Sequence, residues 1–292
     1  MDRPPTMPRL TSKQPKEIST PLVLLMTCWA LIAMPSWGDT LTWGVVNYPP
    51  FDITHGPYAG EGVNDRVRAF LQERMSGYEH AEVVAPLPRV LQEIHQGKPW
   101  CTVSFFDNPQ RREIGLMSRP VMFHLPHSIL VRRDKAEQLS LSGDPISLAS
   151  LLNEKVFTTS TLRQAAYGEN IDKVLAGAPS LYAYGDPAQG IQMLLAGRID
   201  FLVEKRLPGF YMAMEEGKLE ELVALPFAES GPIGIGRILC PHSKWGEEVI
   251  GLIDTILAKN VSSQAYRSII EAWQQSEGLD IIREQYDQIM LK

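Results

Sequence analysis

Few residues in this chain could do covalent chemistry, and their spacing removes most reaction types before any element is placed. Of the six histidines, the nearest two are His124 and His127. On one extended strand an offset of three points the rings to opposite faces, so both are expected to be structural and no metal site is expected. There is no His-Glu-x-x-His, no Gly-x-Ser-x-Gly, no Walker loop and no Cys-x-x-Cys. The adjacent acids Glu215-Glu216, Glu220-Glu221 and Glu247-Glu248 would diverge on a helix rather than share a proton, and read as solvated faces. Gly231-Pro-Ile-Gly-Ile-Gly236 carries β-branched residues between its glycines at a spacing no dinucleotide loop uses, and reads as the glycine-rich start of a strand. No cofactor and no enzymatic activity are expected.

What remains suits binding. Tyr48 and Phe51 flank two prolines that stiffen a loop, which makes them an aromatic wall for a ligand or ordinary core. After Phe106-Asp-Asn-Pro109 come Arg111 and Arg112, where a guanidinium beyond a strand end can grip a carboxylate through two parallel bonds, or lie on the surface. Thr158, Thr159, Ser160 and Thr161 follow one strand and precede a helical pattern, so their hydroxyls and the helix amides offer an anion site or a plain N-cap.

These residues need elements to hold them. Residues 41–47 read as a strand by their β-branched and aromatic content, and Pro49 and Pro50 must leave the sheet. Val63, Val67, Phe70 and Leu71 put one apolar stripe on a helix over about 63–74, and Leu87, Val90, Leu91 and Ile94 repeat it up to Gly97. A strand over 101–106 follows. Asp186-Pro187 has the form of an N-cap with proline at the first helical position; Gly197 closes that helix before a strand over 199–203. The alternation predicts an α/β fold with mostly parallel strands up to about residue 236, and three amphipathic helical stripes over the last 50 residues.

Length sets the scale for this organisation. At 292 residues two domains are expected, and 44% hydrophobic with 21% charged residues is ordinary globular composition, which excludes disorder, collagen and coiled coil. The formal charge of −6 and the lack of a Lys or Arg run argue against nucleic acid. Four basic residues lie in positions 1–20, ahead of an apolar stretch over 21–34, and Ser36 and Gly38 supply the small residues of a cleavage site before Asp39. Residues 1–38 are therefore expected to be a signal peptide and the mature chain periplasmic. Its removal takes four basic and two acidic residues, moving the charge from −6 to −8, and leaves Cys101 and Cys240, an even pair that permits one disulfide or two buried thiols.

The order of the features is more specific than any one of them. A strand with Tyr48-Pro-Pro-Phe51, then Gly60-Glu-Gly-Val-Asn-Asp65, then Asn108-Pro-Gln-Arg111 with Ser118-Arg-Pro120 behind it, then Leu195-Ala-Gly-Arg-Ile-Asp200, resembles the family 3 extracellular solute-binding proteins, over about residues 41–275. Those are the polar-amino-acid binding components of ABC importers. The resemblance implies an α/β, two-lobe type II periplasmic-binding-protein fold with the ligand cleft between the lobes. It implies lobe 1 at 39–130 plus 228–292 and lobe 2 at 131–227, with crossing strands near 129–131 and 222–225. Both cysteines then fall in one lobe and are expected to be joined.

By the same resemblance, Arg111 holds a ligand carboxylate, Tyr48 and Phe51 stack on the ligand with Phe106 beside them, and Thr158 to Thr161 supply lobe 2 donors. One departure stands out. The family's amine-pairing acid falls on Lys205, with Glu204 one residue before it, and on a strand that shift reverses the side-chain direction. The implied function is capture of a small polar, carboxylate-bearing molecule by a monomer. The implied partner is an ABC permease, with a membrane sensor as the alternative. A lyase or dehydratase on the same cleft, with Glu204 as its acid or base, is the enzymatic rival.

Overall fold

A computed structural model describes residues 39–141, 145–154, 156–178, 181–274 and 276–291. The expected signal peptide and all of the cleavage site except Asp39 lie outside the described residues. The chain begins with β1 (Thr40–Val45), α1 (Val63–Gln72), β2 (Glu79–Val84), α2 (Leu87–His95), β3 (Trp100–Phe106), α3 (Pro109–Ile114), β4 (Gly115–Met117) and β5 (Met122–His124). A middle stretch follows with β6 (His127–Arg132), α4 (Ala136–Ser140), α5 (Leu148–Glu154), β7 (Ser160–Leu162), α6 (Glu169–Ala176), β8 (Tyr182–Tyr184), α7 (Pro187–Leu195), β9 (Phe201–Lys205), α8 (Arg206–Glu215) and β10 (Leu222–Leu225). The chain closes with β11 (Gly234–Pro241), α9 (Lys244–Asn260), α10 (Gln264–Glu271) and α11 (Ser276–Met290).

Two main sheets divide these strands. The first runs β2-β1-β3-β11-β4, with β5 also paired to β11; the second runs β10-β6-β9; and β7 and β8 form a small parallel pair. The chain passes from the first sheet to the second through Leu125 and Pro126 and returns over 226–233. The segments expected to cross, 129–131 and 222–225, are instead paired with each other inside the second sheet. Among the named strands parallel pairing is confined to β2-β1-β3 and β7-β8, whereas β11 is antiparallel to β3, β4 and β5, and the second sheet is antiparallel throughout. The expectation of mostly parallel strands therefore needs correction. It assumed a crossover helix between every pair, and the chain's passage from β5 to β6 and its return through β11 have none.

Each sheet is positioned by its own core. In β6, Ile129 and Val131 face the cluster that includes Leu148, Leu151 and Ile171, while Leu130 faces Ile191, Leu194 and Met212; period-2 alternation thus feeds both covered faces of the second sheet. The first sheet packs Leu41, Trp43 and Val103 against α1 and the C-terminal helices through Val249, Ile253, Tyr266 and Tyr286. Cys101 on β3 and Cys240 on β11 are joined by a disulfide across neighbouring strands, 139 residues apart. Closing a loop of that length stabilises by about 4–5 kcal/mol in the chain-entropy account.

Two shifts from the sequence reading affect the site. The strand expected at 199–203 runs Phe201–Lys205, because Asp200 turns back to residue 158, its amide donating to the Thr158 carbonyl and its carboxylate accepting from the Thr158 amide and hydroxyl. Strand β3 carries a bulge: its register with β11 slips between Thr102↔Leu239 and Phe105↔Arg237, and Ser104 takes φ 76°. The glycines around 234–236 make room for this irregular edge. A Cβ at Gly234 would lie 2.5 Å from the Phe106 ring, and one at Gly236 would lie 2.7 Å from Met122 Cγ.

Candidate functional site

A cavity of about 120 Å³ opens where the ends of β1, β3 and β9 meet, between the two main sheets. Open α/β sheets place crevices beyond the carboxyl ends of their strands, and this one follows that geometry. The first-sheet side contributes Tyr48, Asp52, Asn64, Ser104, Phe106, Arg111 and His124; the second-sheet side contributes His127, Leu162, Tyr167, Glu204 and Lys205.

Arg111 reaches the cavity because α3 begins where it does. Asn108 caps that helix by accepting the Arg111 amide at 2.8 Å, and Pro109 fills the first helical position. The guanidinium is 6% exposed, lies 5.3 Å from the Phe105 ring centroid and donates to the backbone carbonyl of Gln164 across the cleft. Among the described residues no carboxylate comes within ion-pair distance of it. Burial accordingly pulls its pKa down to about 10, with Asp172 as a distant counterweight. Such a guanidinium has the charge and the fork of donors that suit a carboxylate.

The opposite wall holds Glu204 and Lys205, both nine-tenths buried or more. Tyr48 donates its hydroxyl to Glu204 Oε1 at 2.5 Å, and the Lys205 amide donates to the same oxygen at 2.7 Å. Lys205 Nζ approaches the Tyr48 hydroxyl at 3.4 Å and sits 5.3 Å from the centroids of both the Tyr48 and the Phe106 rings. Burial lowers the Lys205 pKa, with Glu204 opposing. Strand alternation would separate the two side chains. Both line the cavity because Lys205 is the last residue of β9, and Glu204 curls back onto its neighbour's amide.

His124 and His127 both face the cavity. The assumption of one continuous strand is overturned, since Leu125 and Pro126 separate β5 from β6. The His124 and His127 rings lie 5.2 Å and 6.4 Å from the Phe106 ring, edge-on, and His124 Nε2 pairs with Ser104 Oγ at 2.5 Å. Burial first, then the charge of Lys205, holds both imidazoles well below their ordinary range, so they are neutral near pH 7. Among the described residues no group of His, Cys, Asp and Glu is arranged to hold a metal ion.

Phe51, 2% exposed, backs the wall rather than forming it, stacked on Tyr48 at 5.6 Å and set edge-on against His124 at 4.7 Å. The hydroxyls of Thr158 and Thr159 are engaged by Asp200 and the Phe201 carbonyl. Ser160 Oγ is buried without a partner, Thr161 lines a separate pocket, and none of the four lines the cleft cavity. Leu162, Ala165, Ala166 and Tyr167 take that wall instead. Asp52, Asn64, Ser104, His124, His127, Tyr167 and Lys205 are among the lining residues that sequence reasoning did not select.

No family model matches this chain, and no curated protein matches it by sequence. Solved structures do resemble it. The EhuB protein in complex with hydroxyectoine superposes with a TM-score of 0.67 at 17% identity, over 86% of this chain and 94% of that one. A histidine kinase sensor domain with similarity to periplasmic binding proteins gives 0.65 at 19%, over 80% and 95%. A mutant of ArgBP from T. maritima gives 0.65 at 16%, over 81% and 95%. The chain has the two-lobe α/β periplasmic-binding-protein fold, shared by transport-type binding proteins and by sensor domains.

Proposed function

We propose that this chain is an exported solute-binding protein that traps a small carboxylate-bearing molecule between its lobes and performs no covalent chemistry on it. The observation that carries the reading is Arg111: a buried cation with no carboxylate among the described residues at ion-pair distance, lining the cleft cavity and reaching across it to the Gln164 carbonyl. The fold is consistent with export, and among the described residues no helix is long and apolar enough to cross a membrane. Residues 1–38 would direct the chain to the periplasm and be removed before Asp39.

Delivery to the permease of an ABC importer is the use favoured by the likeness to an amino acid ABC transporter substrate-binding protein from Streptococcus pneumoniae. A sensor partner is the second reading, favoured by the likeness to a kinase sensor domain. Glu204 is the one carboxylate placed to act as an acid or base on the Lys205 wall, and Tyr48 and the Lys205 amide already engage one of its oxygens. That arrangement fits a structural and charge-balancing carboxylate.

The test is purification of the native protein from the cell envelope, denaturation, and mass spectrometry of what is released. One carboxylate should be recovered at close to one per chain, should rebind unchanged in calorimetry, and should be lost from the Arg111→Ala protein. A released molecule without an acidic group would overturn the reading, as would conversion of the added compound.

A further inference from the structure

Lys205 is surrounded as a bound ammonium would be. Its Nζ lies 5.3 Å from two aromatic centroids, Tyr48 and Phe106, within the range where a cation is held by ring faces. Glu204 stands beside it, and the Tyr48 hydroxyl that donates to Glu204 receives Nζ at 3.4 Å. The side chain is 9% exposed and lines the same cavity as Arg111. A ligand carrying its own ammonium would have to displace Lys205 from this box or bring a second cation against it.

A second observation concerns Asn64, 2% exposed and also lining the cavity. Its amide orientation is set by Asp52, whose Oδ2 accepts from Asn64 Nδ2 at 2.5 Å while its Oδ1 accepts from Arg68. That leaves Asn64 Oδ1 buried with no donor. An unpartnered buried acceptor calls for a donor from whatever fills the cavity.

Resting on the solute-binding reading, we propose that Lys205 is the resident cation of the cleft. The solute is then a small hydroxycarboxylate without an ammonium group: Arg111 takes the carboxylate, the hydroxyl donates to Asn64 Oδ1, and the box between Tyr48, Phe106 and Glu204 stays filled by the protein itself. The cavity walls of Val46, Leu87, Leu162 and Ala165 supply apolar contact for a short carbon skeleton.

The test uses three matched series on the envelope-purified protein, stripped of bound solute by denaturation and refolding, read by thermal shift and calorimetry. They are L-lactate, propionate and L-alanine; L-2-hydroxyisocaproate, isocaproate and L-leucine; and L-2-hydroxyglutarate, glutarate and L-glutamate. In the series whose skeleton fits, the hydroxy acid should bind at least about tenfold tighter than the unsubstituted acid, and the amino acid should bind weakest. Lys205→Ala should reverse the order of hydroxy and amino members, and methylammonium should restore its unfolding midpoint by entering the emptied box. Lys205→Met, which keeps the stem packed, should fold without any response to methylammonium.

A wild-type preference for the amino acid would overturn the proposal, as would a Lys205→Ala protein indifferent to methylammonium. Equal binding of hydroxy and unsubstituted acids would overturn the role given to Asn64. Failure of the solute-binding reading looks different. None of the nine compounds nor the material released from the native protein would rebind, while methylammonium still restabilised Lys205→Ala; that would uphold the resident cation and remove the ligand built on it.

Discussion

Arg68 and Arg111 are 3% and 6% exposed, and their surroundings differ in almost every other respect. Arg68 lies behind the cavity on α1, bonded to Asp52 and Asp65, with Glu82 at 3.3 Å on its Nε. Asp65 in turn accepts the amides of Ile53 and Gly62 at 3.0 Å and 2.8 Å, which fixes the loop between β1 and α1 to the start of the helix. These carboxylates raise the Arg68 pKa further despite its burial. Around Arg111 there is a backbone carbonyl, an aromatic ring and open cavity, and its pKa falls to about 10. A buried charge whose partners belong to the chain holds the fold together. A buried charge with no carboxylate of the chain at ion-pair distance is, on the proposed reading, where the ligand binds.

The largest test of that contrast is Arg68→Ala. It strands Asp52 and Asp65 in the interior, and breaking a buried ion network from one side costs about 3–5 kcal/mol. Urea unfolding should show the loss with no ligand present. A loss below about 1 kcal/mol would mean that the network is dispensable and the contrast between the two arginines false.

Arg111→Ala should behave in the opposite way. No carboxylate of the chain is stranded, so the unfolding midpoint should hold or rise, while affinity for the native carboxylate should fall by about 2–5 kcal/mol, thirty-fold to several-thousand-fold. Calorimetry and urea unfolding on one preparation separate the two quantities. A large stability loss with unchanged affinity would turn Arg111 into a second Arg68.

The two regions should also titrate with opposite sign. In the cleft, His124 and His127 stay neutral in the fold while the unfolded chain protonates them below about pH 6.5, so stability is lost as the pH falls through that value. Beside Arg68, burial and the charge of Asp65 push Asp52 up to about 6 against the pull of Arg68, so the folded state keeps a proton that the unfolded state releases above about pH 4. Two protons against one leave a net downward slope of stability as the pH falls from 6 to 5. Urea unfolding at pH 7, 6 and 5 should show that slope, and replacing both histidines by asparagine should reverse it. A wild-type profile that is flat over this range, or an unaltered slope in the double variant, would contradict the neutral histidines.

Arg111 was named from sequence through the family resemblance, since the residues alone left it and Arg112 as a carboxylate grip or as surface and gave no helix there. The Asn108 cap that turns it into the cavity is seen in the structure, and the arginine of the scaffold was not named at all. The Arg68 network joins residues 12 and 16 positions apart through an irregular loop, and no periodicity reports such contacts. Local rules failed in the cleft where an element ended sooner or later than its pattern suggested. Pro126 breaks what alternation would treat as one strand, so both histidines turn inward. β9 begins two residues late because Asp200 is tied to Thr158, and that same tie occupies the Thr158 hydroxyl that seemed free for an anion. α1, α2 and α7 were readable because their signals depend only on neighbours in the chain, whereas the pairing of Cys101 with Cys240, 139 residues apart, was implied by the family resemblance and left open by the residues themselves.

The smallest expected effect is at Arg112, adjacent in sequence and opposite in setting. Its side chain is 70% exposed and makes two bonds to Asp107, at 2.6 Å and 3.0 Å, which hold that carboxyl below its ordinary range. Such an ion pair in water loses most of its attraction to solvent screening and to the entropy of two tethered side chains, so its removal should be nearly silent. The backbone carbonyl of Arg112, which accepts from His242 Nε2 at 2.6 Å when that nitrogen carries the proton, is untouched by the substitution. Arg112→Ala should therefore lose less than about threefold in affinity for the native carboxylate and leave the unfolding curve unmoved. Salt sharpens the comparison: raising ionic strength screens Asp107 and Arg112 but reaches the buried Arg111 poorly. The Arg111→Ala defect should thus persist at high salt while any Arg112→Ala defect fades. If the two variants lose affinity equally at all salt concentrations, burial does not distinguish the anchor from its neighbour, and the carboxylate is held at the mouth of the cleft rather than inside it.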